Sequence, residues 1–373
     1  MKKVMIALGV FVATFSTLML IVMMTGPFSD EIEAGDLEGK KISEDVGKRI
    51  AGEKKKEWKI AKDALTLTFT GDVLFEKSTI HTTEEHGYTY PFEYVEDAFR
   101  QDDYTFVNLE TPVTARGERE QKLYTFRTDA AALDGMEKVG VDAYSLANNH
   151  TLDYGRVGLL DTLDEMEKRD VPFLGAGRNK EEAYRGMKME KKGETIHFLS
   201  FSRVLPTVDW YAGPERPGIA SGYQVERMEA LIKEAKQSSD YVIVQIHWGD
   251  ERQTSFQPEE QRIAHRLVDA GADVIVGHHP HVLQGFEYYN DGFIAYSLGN
   301  FLFPDYVENE TAYTGYLQVE IEDGGIYPSF VPMIIENDQM VPVANEERAL
   351  ERLEERSANI VFNQYRIEKA SVY

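Results

Sequence analysis

The chain has 373 residues, enough for two to three domains on length alone, and no cysteine. Lysine and arginine number 40 against 64 aspartates and glutamates, a net charge of −24. That balance excludes a nucleic-acid binder, which needs basic surface to neutralise phosphates, and the missing thiols exclude disulfides, thiolate metal sites and a cysteine nucleophile.

Met1-Lys2-Lys3 precedes an uncharged apolar run from Val4 to Met24. Twenty-one residues suffice for a helix to cross a hydrocarbon core of about 30 Å. Lys2 and Lys3 set the amino end inside. No small-x-small cleavage site follows, so residues 1–27 are expected to be an uncleaved signal anchor. The protein is then single-pass in the cell membrane, N-terminus cytoplasmic and main domain extracytoplasmic. Residues 28–63 are charged and poor in apolar side chains, and read as a juxtamembrane linker.

From Ala64 the pattern changes. Leu65-Thr66-Leu67-Thr68-Phe69 alternates with period two, a strand ending at Gly71-Asp72. Pro91 opens a short helix with Phe92, Val95 and Phe99 on one face. Residues 104–108 read as a buried strand ending at Glu110. Thr128 or Asp129 caps a helix carrying Leu133, Met136 and Val139, and 141–147 is a strand ending at Asn148-Asn149-His150. A helix with Val157, Leu160, Leu163 and Met166 follows. Strands at 196–201, 241–247, 273–277 and 293–298 alternate with helices at 224–236 and 258–270. This alternation predicts an α/β domain over 64–335, with a peripheral C-terminal helix and tail over 336–373.

Five apolar strands end in polar clusters: Gly71-Asp72, Asn108-Leu109-Glu110, Asn148-Asn149-His150, His247-Trp248-Gly249-Asp250-Glu251 and Gly277-His278-His279-Pro280-His281. Ligands of open α/β sheets gather outside the carboxyl ends of strands. Oxygen and imidazole donors converging there suit one or two divalent ions of the Mn, Zn or Fe type. Singly, Asp72 reads as a turn former, Glu110 as a loop acid, Asn149 as a cap and His150 as a loop histidine. Three histidines within four residues after a buried strand have no such plain reading. His81, His86, His197 and His265 read as surface or structural.

Taken in order, Thr70-Gly71-Asp72-Val73, Asn108 to Val113, Ala147 to Gly155, Gln245 to Gly249, Gly271 to Val282 and Tyr296 to Phe301 resemble the CapA/PgsA family of capsule and poly-γ-glutamate synthesis proteins. That family resembles a branch of the calcineurin-like metallophosphoesterases. The resemblance implies a four-layer αββα sandwich of two mixed sheets. It implies metal ligands at Asp72, Glu110 (as bridging acid), Asn149, His247, His279 and His281, with His278 the alternative to His279. His150 would be the catalytic acid, and Asn148, Arg127, Trp248, Glu251 and Asn300 would face substrate. One departure stands out: where the superfamily has Asp-x-His, this chain has Asp72-Val73-Leu74, so one imidazole is missing.

Two functions follow from the resemblance. One is an accessory subunit of a membrane polyglutamate synthase, handling an anionic polymer; Arg116, Arg119, Lys122 and Arg127 could supply it a basic strip, though an ordinary solvated loop is the plainer reading of that segment. The other is a metal-dependent phosphoesterase or other hydrolase on an extracellular substrate, in which the ion activates water and His150 protonates the leaving group.

Overall fold

The computed structural model describes residues 64–370. The expected anchor and the linker lie outside them. Among the described residues no helix is long and apolar enough to cross a membrane.

Two mixed sheets carry the domain. The larger runs, in spatial order, Ile360–Asn363 (β17), Arg366–Lys369 (β18), Gly325–Glu336 (β15), Tyr313–Glu322 (β14), Leu65–Val73 (β1), Tyr104–Leu109 (β2), Ala143–Ser145 (β3) and Phe173–Leu174 (β4). Asn300–Leu302 (β13) pairs with β1, and Gln339–Pro342 (β16) with β15. The smaller runs Phe286–Tyr289 (β11), Gly292–Ala295 (β12), Val274–His278 (β10), Tyr241–His247 (β9), Glu194–Ser202 (β7) and Met187–Lys191 (β6). Ala176–Gly177 (β5) and Gly218–Ile219 (β8) form a separate small pair. The strands that matter most are parallel neighbours: β1, β2 and β3 in one sheet, β7, β9, β10 and β12 in the other.

The sheets face each other. Leu67, Phe69 and Phe106 of the larger sheet share a buried cluster with Phe198, Ile243 and Val276 of the smaller. The Phe106 and Phe198 rings lie 4.4 Å apart at their centroids. On the far side of the larger sheet, Leu133 and Met136 of helix Ala131–Lys138 join Leu159, Leu163 and Met166 of helix Gly155–Lys168 over Val107, Leu109 and Tyr144. On the far side of the smaller, Met228 and Ile232 of helix Val225–Lys236 join Ile263 and Leu267 of helix Pro258–Asp269 over Val242, Val244 and Ile275. The i, i+3, i+4 spacing of these apolar residues makes each helix one-sided, and covering a sheet face buries that side. Full burial of each such side chain contributes about 1.5–3 kcal/mol.

Several expectations shift in detail. β1 alternates in sequence yet is buried along both faces, because Thr66, Thr68 and Thr70 are covered too. The helix at Pro91 is a 3-10 turn, Tyr90–Phe92, followed by helix Glu96–Gln101. The next helix begins at Ala131, where Asp129 Oδ1 accepts from the Ala131 N–H at 2.8 Å. Residues 296–298 leave the strand expected over 293–298, since Tyr296 N–H turns to the Gly285 carbonyl at 3.2 Å. Residues 336–370 are more than a peripheral helix and tail. Helix Glu346–Glu355 forms, and the β17–β18 hairpin then extends the larger sheet. Leu350, Leu353, Ile360 and Ile367 belong to the core between the sheets.

Candidate metal centre

Register brings the donors to one place. β1 and β2 pair Asp72 with Asn108, β1 and β13 pair Asp72 with Asn300, and β9 and β10 pair His247 with His278. Two glycines make the approach possible. A Cβ on Gly71 would lie 2.1 Å from the Gly299 carbonyl oxygen, and one on Gly277 would lie 1.9 Å from that of Tyr296. Any side chain at either position would push the strand ends apart. The turn after β10 is unusual: His279 and His281 both hold positive φ, 100° and 57°.

Glu110 sits at the middle, 1% exposed. Its Oε1 lies 3.5 Å from His247 Nε2, 3.9 Å from His281 Nε2 and 3.9 Å from His150 Nε2. Neither Glu110 oxygen has a hydrogen-bond partner among the described residues. Asp72, fully buried, lies 3.4 Å from His278 Nδ1 and 3.3 Å from His281 Nδ1, and accepts from Asn108 Nδ2 at 2.8 Å. His247 Nε2 is 2.8 Å from Asn149 Oδ1. His247 Nδ1, His279 Nδ1 and both nitrogens of His278 are likewise buried without partners. Three sets of donors come within 4.8 Å of one another: Glu110, His247 and His279; Asp72, Glu110 and His281; and Glu251, His279 and His281.

The donor set fits a divalent cation. Buried polar atoms are normally hydrogen-bonded, and orphaned acceptors around one point are what a coordination shell leaves when its ion is subtracted. The 2.8–3.5 Å separations of His247, Asn149 and Glu110 donor atoms match ligands held at about 2.0–2.2 Å from a shared ion. Electrostatics agree. Burial lifts the Glu110 carboxyl well above its ordinary value, and the negative Asp72 adds to the lift. Burial acts on Asp72 in the same sense, but the His278 and His281 rings outweigh it and hold that carboxyl well below the usual range. Burial drives His279 down to about 3 and His247 well below its ordinary value. Both are therefore neutral imidazoles near pH 7, the form that ligates metals. His281 moves the other way: burial opposes its charge, and the bond to Asp72 overcomes that.

His150 is oriented from behind. Its Nδ1 lies 2.7 Å from Asp153 Oδ2, its backbone N–H donates to Asn148 Oδ1 at 3.1 Å, and Phe126 packs on its ring. Lys122 reaches in from the loop before Phe126. Its Nζ lies 2.5 Å from Asp153 Oδ1, 3.1 Å from His150 Nδ1, and donates to the Asn149 carbonyl at 2.5 Å. With Nδ1 committed to Asp153, His150 turns Nε2 toward Glu110.

The cluster gathers Asp72, Glu110, Asn149, His150, His247, His278, His279 and His281 from across the sequence. The residues expected to face substrate are placed differently. Asn148 is fully buried and spends its amide on Asn108 and the Leu109 carbonyl. Trp248 is 1% exposed, with its indole N–H on the Tyr296 carbonyl at 2.9 Å. Asn300, also buried, holds His281 Nδ1 at 2.9 Å. All three are buried and bonded to the scaffold around the cluster. Arg127 turns away, its guanidinium over the Tyr154 ring, and lines a cleft of about 620 Å³ that contains none of the cluster residues. Glu251 alone of the five is an exposed group beside the cluster. The loop after Glu110 presents no basic strip: Arg116 pairs with Asp161, Arg119 bonds Thr125 and Lys122 points inward. Leu74, where the superfamily has an imidazole, is buried with Phe126, Phe303 and Ile335.

Asn108, Lys122 and Asp153 take part in the site without having been singled out for it. Asp153 carries a faint signal, three residues after His150. Lys122 carries none, since only the loop's path brings it in.

Facing mixed sheets with oxygen and imidazole donors at their strand ends define a metallophosphoesterase-like protein. The chain belongs to the family described as bacterial capsule synthesis protein PGA_cap, whose profile matches residues 66–305. It is 37% identical over 244 residues to the PGA biosynthesis protein CapA of Bacillus subtilis strain 168, covering 65% of this chain and 64% of that one. The match thus spans just under two thirds of that relative's length. It is 31% identical over 291 residues to the capsule biosynthesis protein CapA of Bacillus anthracis, covering 76% and 70%. A probable polyglutamine synthesis accessory protein of Mycobacterium tuberculosis is 30% identical over 209 residues, covering 53% and 55%.

Proposed function

We propose that this chain is an accessory component of bacterial capsule or poly-γ-glutamate synthesis whose strand-end cluster works with one or two divalent ions of the Zn, Mn or Fe type. The observation that carries it is Glu110: a buried carboxylate with both oxygens unpartnered, ringed by His150, His247 and His281. The two Bacillus relatives, a PGA biosynthesis protein and a capsule biosynthesis protein, suggest the pathway. Residues 4–24 would anchor the chain in the cell membrane with the domain outside, beside the other subunits of a synthase and the anionic polymer they make.

His247, His279 and Asn149 would hold an ion with Glu110, and Asp72 and His281 would hold a second that Glu110 shares. An ion so held supplies Lewis acidity toward a phosphoryl or carbonyl oxygen. His150, with Nδ1–H held by Asp153, presents a bare Nε2 to the site, so it would first take up a proton there, against the pull of burial, and then hand it to a leaving group. That arrangement favours a second reading, in which the domain hydrolyses a bond and so trims or releases polymer.

The test is complementation of a producing strain that lacks its own copy. Wild type should restore cell-associated polymer and Glu110→Gln should not. Full output from Glu110→Gln would remove the cluster from the function. Purified full-length protein loaded with Zn²⁺ or Mn²⁺ should be assayed on phosphodiester and γ-glutamyl substrates. Turnover lost in His150→Ala supports hydrolysis, and no turnover leaves the accessory role alone.

A further inference from the structure

Glu251 differs from every other donor near the centre. The rest are buried or half-buried, whereas Glu251 is exposed. It lies in the loop after β9, on a turn that opens at Gly249 (φ 84°) and closes at Arg252 (φ 63°). Two backbone bonds fasten that loop to the turn after β10. Trp248 N–H donates to the His278 carbonyl at 3.0 Å, and Arg252 N–H to the Pro280 carbonyl at 2.7 Å. Between these clamps the Glu251 carboxylate comes within 4.8 Å of ring nitrogens of His279 and His281. His279 is 5% exposed and its Nδ1 has no hydrogen-bond partner.

The sharing of donors gives this position its meaning. His279 also groups with Glu110 and His247, and His281 also groups with Asp72 and Glu110. Among the described residues Glu251, like Glu110, therefore addresses both halves of the cluster, but it does so from the solvent side. Buried ligands cannot swing, but an exposed glutamate on a clamped loop can turn its carboxylate toward an ion or away from it.

We propose that Glu251 is a metal ligand on the open face of the centre, an arm that joins His279 and His281 on a divalent cation and yields to an incoming anion. This rests on the metal-binding reading above. Charge favours the arrangement. Two divalent cations bring four positive charges, and Asp72 and Glu110 offset only two of them. Glu251 offsets one more and leaves a single excess positive charge for a carboxylate or phosphate to meet. Hard oxygen donors suit the same ions as the imidazoles beside them.

The experiment uses the full-length protein, stripped with chelator and titrated calorimetrically with Mn²⁺ and, separately, Zn²⁺. Glu251→Gln should weaken at least one binding step by tenfold or more, with an unchanged melt for the stripped protein. Loaded Glu251→Gln should also bind inorganic phosphate more tightly than loaded wild type, because no arm has to be displaced. A wild-type isotherm in Glu251→Gln would overturn this inference and leave the metal centre standing. No metal binding by wild type would overturn both.

Discussion

Replacing Glu110 by Gln should stabilise the metal-free protein while abolishing its response to metal. The Glu110 carboxylate is 1% exposed, unpartnered and close enough to Asp72 to be repelled by it. A buried polar group left unsatisfied costs about 1–3 kcal/mol, and more when charged. The amide takes the place of a carboxyl whose charged form burial and Asp72 disfavour, and it can donate to Asp72 without holding a proton against solution. Unfolding entropy of about 2.1 cal/mol/K per residue over the roughly 300 described residues makes 1 kcal/mol worth about 1.6 °C. In EDTA, then, Glu110→Gln should melt about 1.5–5 °C above wild type. With an ion at a thousand times its dissociation constant, wild type should gain about 4.1 kcal/mol, or about 6.5 °C, and the variant almost nothing. The two melting curves, followed by circular dichroism or calorimetry, should change order on adding Zn²⁺ or Mn²⁺. A variant that melts lower in EDTA, or that rises with metal as far as wild type, would refute this reasoning.

Asp102 should give stability a pH dependence: burial lifts its carboxyl to about 7, against the hydrogen bond from the Thr105 hydroxyl at 2.6 Å. A raised carboxyl contributes stability that is complete below about pH 4 and lost as pH rises through 7, so Asp102→Asn should gain up to about 4 kcal/mol at pH 8 and little at pH 4 in urea titrations. Ending the chain at residue 344 should leave an insoluble or molten product in a solubility and near-ultraviolet dichroism assay. Leu350, Leu353, Ile360 and Ile367 together contribute about 6–12 kcal/mol, comparable to a whole domain's stability. Lys122→Met should cut polymer output in the complementing strain as far as Asp153→Asn does, since both hold the His150 segment; undiminished output from either would assign Lys122 and Asp153 to stability alone.

Much of the site was legible because its donors end continuous apolar runs. Val242 to Ile246 before His247, and Val274 to Gly277 before His278, leave little but buried parallel strands, and such strands deliver their last residues to one edge. Orientation was not legible. Asn148, Trp248 and Asn300 lie in the same motifs as the ligands, yet their side chains turn into the scaffold, a choice made by hydrogen-bond partners from other strands. Arg127 has the right chemistry for an anionic polymer but is drawn to Tyr154. The C-terminal hairpin escaped notice because polar residues dominate 363–369, and what joins it to the sheet is pairing with distant β15, Arg366 opposite Ser329 and the Phe330 N–H on the Tyr365 carbonyl. The residue that departs most plainly from the superfamily, Leu74, is explained by the apolar cluster it completes with Phe126, Phe303 and Ile335.

The most direct measurement is the metal content of purified full-length protein after dialysis against trace Zn²⁺, Mn²⁺ and Fe²⁺, read by mass spectrometry beside Asp72→Asn and His279→Ala. At least one ion per chain in wild type, reduced or lost in both variants, is the expected result. Wild type emptied by dialysis, or variants that retain as much metal as wild type, would contradict a cation-binding centre built from these strand ends.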